Sequence, residues 1–247
     1  MEPRYSGAGY QDRLARGVRR PHSWVASKSR HMKLFWTPAS PFVRKVMVVA
    51  IELGLDRRIE IYPTYWPHEW GSRTIAFDPA FISANPVGRI PALMTEEGVA
   101  LVESDLICEY LQTQVSTPTL HPPVGASRWQ SMRLLGIADG SLEAMIARRA
   151  ELLREPVEQS SGFIAKQRDR IGRCFDCLEQ ECDALEGGLT LAQITAGIAC
   201  GYMDFRYPSD QWRIARPRLG DWYKRFAERD SMKRTAPSET PQRSEAC

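Results

Sequence analysis

The sequence predicts two joined units: an α/β layer followed by an all-α bundle. Three observations carry this. Strand and helix patterns alternate as far as residue 114, four stretches of helical period without a strand pattern follow residue 126, and the proline-bearing stretch 115–125 separates the two.

Residues 33–37 are a short apolar strand ending in the turn Pro38-Ala39-Ser40-Pro41. From 41 to 53 the pattern becomes helical, because Val43, Val46, Met47, Ala50 and Ile51 recur at three- and four-residue steps. Ser40 is a good N-cap, Pro41 a good first helical residue, and Gly54 stands where a left-handed C-cap is wanted. A second strand spans 58–62. The segment 63–78, with Tyr65, Trp66, Trp70 and Phe77, has the aromatic, irregular character of a binding loop, and a short helix is expected over 78–84. Strands at 92–95 and 99–102 flank Glu96-Glu97-Gly98, the signature of an antiparallel hairpin. The helix 104–114 puts Leu106, Ile107, Tyr110 and Leu111 on one face. This order, β-α-β-(loop, α)-β-β-α, is that of a thioredoxin-like layer. Beyond the linker, 126–155, 157–185, 191–206 and 217–229 are helical in period. Gly187-Gly188 marks a break, and Thr190 with Gln193 forms a capping box for the third of these helices.

The 247 residues, 43% hydrophobic and 26% charged, have the composition of a soluble globular protein with ample chain for a packed core. The net charge of +3 is unevenly placed. Arg4, Arg13, Arg16, Arg19, Arg20, Lys28 and Arg30 outnumber Glu2 and Asp12 in residues 1–31, so the remainder is slightly acidic and no basic nucleic-acid surface is expected. We expect 1–31 to be a disordered basic extension, with Met32 beginning the fold. The domains expected are then 32–114, thioredoxin-like, and 126–231, all-α, joined by 115–125 and followed by a disordered tail over 232–247. No apolar run is long enough to span a bilayer. Residues 1–31 lack the apolar core of a secretory signal, so the six cysteines are expected as reduced thiols in the cytoplasm. Cys174-Phe-Asp-Cys177 invites a redox or zinc reading. However, no second CxxC completes it, all four histidines precede residue 122, and Ile171, Cys174, Leu178, Cys182 and Leu185 repeat at helical spacing. Core packing is the expected role of two of these thiols, and no metal is expected.

The chemically suggestive stretch is Asn85-Pro86-Val87-Gly88-Arg89-Ile90-Pro91-Ala92-Leu93, followed by Glu103-Ser104. Pro91 at the start of a strand removes a ladder donor, and one resolution is a cis Ile90–Pro91 bond that frees the Ile90 peptide groups for a ligand backbone. Glu103 and Ser104 open a helix, where N–H groups and the dipole hold a carboxylate. By itself the run is also compatible with a plain proline-rich turn.

Together with the turn from Thr37 to Lys45 and the segments Ala138-Asp139-Gly140 through Arg154-Glu155-Pro156, these residues resemble the glutathione S-transferase family over nearly all of 32–229. The turn is similar to that of bacterial serine-type members. One departure is Gln193, where the family's capping motif usually has Asp. The resemblance implies glutathione as co-substrate, held by Ser40, Phe42, Ile90, Pro91, Glu103 and Ser104, with Ser40 as the catalytic donor to the thiolate. It also implies a homodimer acting on a small electrophile, without metal, nucleic acid or membrane. Trp129, Met132, Arg133 and Gly136 are candidates to line the electrophile site, with Trp66 or Trp70 as cover. Two absences bear on the mechanism: no cysteine precedes Cys108, and no tyrosine lies in 33–37, so serine is the hydroxyl that remains. The alternative is a non-catalytic glutathione-binding or protein-interaction module of the same fold.

Overall fold

The computed structural model describes residues 31–64, 81–82, 85–116 and 120–239. The extension before residue 31, nearly all of the aromatic loop and of the short helix, and the tail beyond 239 lie outside the described residues. Four strands form one mixed sheet: β1 (Met32–Trp36), β2 (Ile59–Pro63), β3 (Ala92–Met94) and β4 (Ala100–Val102), in the order β2-β1-β3-β4. β1 runs parallel to β2 and antiparallel to β3, and β3 antiparallel to β4. The parallel pair needs a crossover, and α1 (Pro41–Glu52) supplies it. Its caps are those expected: Ser40 Oγ accepts from the Val43 N–H at 3.3 Å, and Gly54 at φ 70° closes the other end. The β3–β4 hairpin closes through the Thr95 N–H to the Val99 carbonyl at 2.9 Å, with Gly98 at φ 85°. α2 (Ser104–Thr113) then packs on α1.

The bundle contains α3 (Ala126–Leu152), α4 (Ser161–Gln180), α5 (Leu191–Arg206), α6 (Pro217–Phe226) and α7 (Asp230–Arg234). α3 lies against both α4 and α5. α5 is its central rod, with Ile194, Ala196, Ile198, Ala199 and Cys200 fully buried. The capping box forms as expected: the Thr190 hydroxyl accepts from the Gln193 N–H at 3.3 Å, while the Gln193 side chain accepts from the Thr190 N–H at 2.7 Å. The substitution of Gln for Asp therefore keeps the reciprocal pair.

Two expectations shift. The helix expected over 157–185 is shorter, with separate 3₁₀ turns at Pro156–Glu158 and Cys182–Leu185 on its flanks. Residue 232, expected as the start of a disordered tail, lies instead within α7, and Met232 is buried. α7 is tied back to the α/β layer: Arg229 meets Glu52 with two contacts of 2.8 Å, and Arg234 meets Asp56 at 2.5 Å. One cluster of buried side chains joins α1, α2 and the bundle. Among the described residues no helix is long and apolar enough to cross a membrane.

Candidate functional site

The first component of the site is the turn after β1. Thr37 is buried and the Ser40 N–H reaches its carbonyl at 3.4 Å, which folds the turn back on itself. Ser40 is half-buried, with extended backbone at φ −82° and ψ 121°. Its oxygen accepts from Val43, so its proton remains available to donate. A group held there faces the N-terminus of α1, where partial positive charge favours an anion. Phe42 is half-buried, with the Lys45 ammonium 5.7 Å from its ring centre.

The second component is the proline-rich run. Asn85 has no exposed surface. Its side-chain carbonyl accepts from the Val87 N–H at 3.1 Å, its amide donates to the Arg89 carbonyl, and its own carbonyl accepts from the Gly88 N–H at 3.0 Å. Gly88 at φ 70° completes the bend, which only glycine adopts at little cost. The Ile90–Pro91 bond is cis. Ile90 is half-buried, and Pro91 is buried just before the first paired residue of β3. Sequence reasoning quoted Asn85 without assigning it this bracing role, for which an Asn before a Pro-x-Gly bend is the signal.

Glu103-Ser104 is the third. Glu103 is exposed and makes no cap with its side chain, and its backbone stands at φ 70° and ψ 126°. Ser104 behind it is buried. The first turn of α2 therefore presents N–H groups without a side-chain cap from its own N-cap residue, an arrangement suited to an external carboxylate. Strand register relates the three components. Phe35 opposes Ala92, and Ala92 opposes Val102. One residue further along each ladder, Pro91 lies between Trp36 and Glu103, so the turn, the cis bond and the head of α2 share one end of the sheet.

Behind them is a charged cluster that sequence reasoning missed. The Lys45 side chain is fully buried, with its ammonium 2.6 Å from both Asp105 of α2 and Asp139 of α3. Burial opposes its charge, but Asp139 and Asp105 outweigh this and raise its pKa. Burial likewise opposes ionisation of Asp105, yet Lys45 and a hydrogen bond from Asp139 hold it below the usual carboxylate range. In Asp139 burial prevails over the attraction of Lys45, and the carboxyl is pushed up. The two acids are thus pushed in opposite directions, Asp105 down and Asp139 up.

The remaining candidates are scattered. Arg133 is bound at 2.6 Å to Glu181 and at 3.5 Å to the Cys177 sulfur, so it is committed to α4 and its C-cap. Trp129 and Met132 on the same helix are exposed. Trp66 and Trp70 lie outside the described residues. The five described cysteines are free thiols: Cys108, Cys182 and Cys200 are buried, Cys174 and Cys177 half-buried, and burial pushes each of the five up. Among the described residues no three His, Cys, Asp or Glu side chains gather as ligands for a metal.

Comparison with known proteins agrees with this geometry. Residues 39–114 match the family described as Glutathione S-transferase, N-terminal domain, and residues 146–225 its C-terminal domain. An uncharacterised GST-like protein of Escherichia coli K12, YibF, is 29% identical over 211 residues, covering 83% of this chain and 98% of its own. A glutathione transferase family member from Pseudomonas fluorescens Pf-5, solved with bound glutathione, is 37% identical with a TM-score of 0.79 and spans 84% of this chain and all of its own. A glutathione S-transferase from Methylobacillus flagellatus KT, also with glutathione bound, is 29% identical with a TM-score of 0.74 and similar coverage. A thioredoxin-like layer, a helical bundle, a cis-proline and an exposed helix N-terminus at one sheet end, together with these matches, make the chain a member of the glutathione S-transferase family.

Proposed function

We propose that the protein is a serine-type glutathione S-transferase, in which Ser40 activates the thiol of bound glutathione for attack on a small electrophile. The observation that carries this reading is the convergence of Ser40's turn, Pro91 and Glu103 at one end of the sheet. The Ile90 peptide groups beside the cis bond would pair with the cysteinyl backbone, and Phe42 would flank it. Glu103 would meet the γ-glutamyl amine, while Ser104 and the α2 N-terminus would meet its carboxylate. That brings the sulfur to the Ser40 hydroxyl and the head of α1. Bound glutathione in the Pseudomonas and Methylobacillus relatives supports the choice of ligand.

The chemistry follows from charge. A free thiol, with a pKa near 8.5, is mostly protonated at neutral pH, and the thiolate is the nucleophile. A hydroxyl donor at a helix N-terminus stabilises the anion over the neutral thiol. The thiolate then forms a C–S bond while the leaving group departs with the bonding pair. We further propose a cytoplasmic homodimer, with one domain over 32–114 and a second from 126 through α7. Free thiols in all five described cysteines favour the reducing compartment. Ultraviolet titration of bound glutathione tests the mechanism. The wild type should lower the thiol pKa by about two units, worth about 2.7 kcal/mol, and Ser40→Ala should return it toward 8.5. An unshifted thiol in the wild-type complex would sink the mechanism.

A further inference from the structure

We propose that Lys45 is a positioning residue for the glutathione site: with Asp105 and Asp139 it fixes the first turn of α2 and the middle of α3 against α1, and so sets the separation between Ser40 and the Glu103–Ser104 pair. This rests on the glutathione reading above and adds a residue that acts through others.

The geometry is unusual for a lysine. Its side chain has no exposed surface, and lysines are almost never wholly buried unless paired. An apolar residue would fill the same space without the desolvation that two buried carboxylates and an ammonium require. What the ion cluster adds is fixed geometry. Lys45 lies five residues along α1 from the Ser40 cap, about 7.5 Å along the axis. Asp105, 2.6 Å from its ammonium, is the residue after Ser104, within the turn whose N–H groups would receive the ligand carboxylate. Asp139, also at 2.6 Å, belongs to the bundle. The ammonium also stands 5.7 Å from the centre of the Phe42 ring, so it borders a second proposed glutathione contact. One side chain thus contacts or adjoins every segment bearing the site except the cis-proline run.

Charge is consistent with a permanent fixture. One ammonium and two ionised carboxylates would leave an excess negative charge in the interior. Burial and the neighbouring Asp105 both favour a proton on Asp139, which lessens that excess.

The experiment is calorimetric titration of the full chain with glutathione, alongside thermal melts, for wild type, Lys45→Arg, Lys45→Met and Lys45→Met/Asp105→Asn. The double variant keeps one acid that can remain protonated, so it buries no uncompensated charge. Both Met variants should lose glutathione affinity by roughly 10- to 100-fold, the loss expected when a site shifts by about an ångström. Lys45→Arg, which restores the cation, should recover much of that loss. A folded double variant that binds within about twofold of wild type overturns the proposal. A double variant that does not fold also overturns it, by making Lys45 an element of stability alone. Wild type that fails to bind glutathione removes the glutathione reading and this role together. Wild type that binds, with all Lys45 variants equal to it, removes only the positioning role.

Discussion

Glu103 holds a backbone conformation that few side chains adopt, with φ 70° at the head of α2. A non-glycine residue there costs about 1–3 kcal/mol and persists where its surroundings over-determine it, as at ligand clamps. Glu103→Gly should relieve this strain and, after the entropic cost of glycine, raise stability by about 1 kcal/mol in denaturant melts. The same change should weaken glutathione binding roughly tenfold or more by calorimetry, because a charge-assisted contact is lost. Equal affinity in the variant would mean the carboxylate pocket is misassigned. The pair Glu103-Ser104 was legible in the sequence, since its residue types and place before a helix point to that chemistry. The dihedral was not, because it is imposed where β4 ends and α2 begins. Lys45 was illegible for another reason: its partners are 60 and 94 residues away, beyond any local pattern.

α5 and α6 approach each other over glycines. A methyl group on Gly197 would come within 2.5 Å of the Phe226 ring, and one on Gly201 within 2.6 Å of the Tyr223 hydroxyl. Overpacking of this kind costs about 1–3 kcal/mol. Gly197→Ala should lower stability by that amount, read as a lower denaturant midpoint at unchanged slope, and an unchanged midpoint would show that α6 can move aside. The bounds of α5 were readable because Thr190, Gln193 and the terminal Arg206 punctuate it chemically. Those of α4 were not. Cys182 and Leu185 stay buried after the helix has ended, so periodicity continues through a 3₁₀ turn. Hydrophobic spacing records which side chains face inward, not which carbonyl each N–H reaches. α7 escaped notice because its five residues are too few to display a period.

The molecule as a whole has a stability profile that one carboxyl should shape. Burial pushes Asp139 up to about 7, whereas an unfolded aspartate titrates near 3.9. A raised acid favours the fold while protonated, so its contribution is complete below about pH 4 and is lost as pH rises through about 7. Asp105, held low, acts in the opposite sense and only in acid. Between about pH 4 and 7 the wild type should therefore lose melting temperature relative to Asp139→Asn, whose amide does not titrate, and the difference should level off above that range. Parallel curves for the two proteins would argue against a proton shared by the pair. At this scale the layer-plus-bundle architecture was legible from element order. The cluster that binds the two units was not, because a charged residue in a helix pattern ordinarily marks a solvated face.

The sheet end that gathers Trp36, Pro91 and Glu103 also acts as a ruler. Three neighbouring strand positions span two inter-strand spacings, about 10 Å. That is about the reach from the α-carboxylate of a γ-linked glutamate to the sulfur of the cysteine that follows it. An α-linked Glu-Cys-Gly would keep a carboxylate at that reach through its side chain, but would carry its amine two carbons nearer the sulfur and away from Glu103. The sheet end would then select the isopeptide linkage by where it meets the amine, since the carboxylate's reach is common to both peptides.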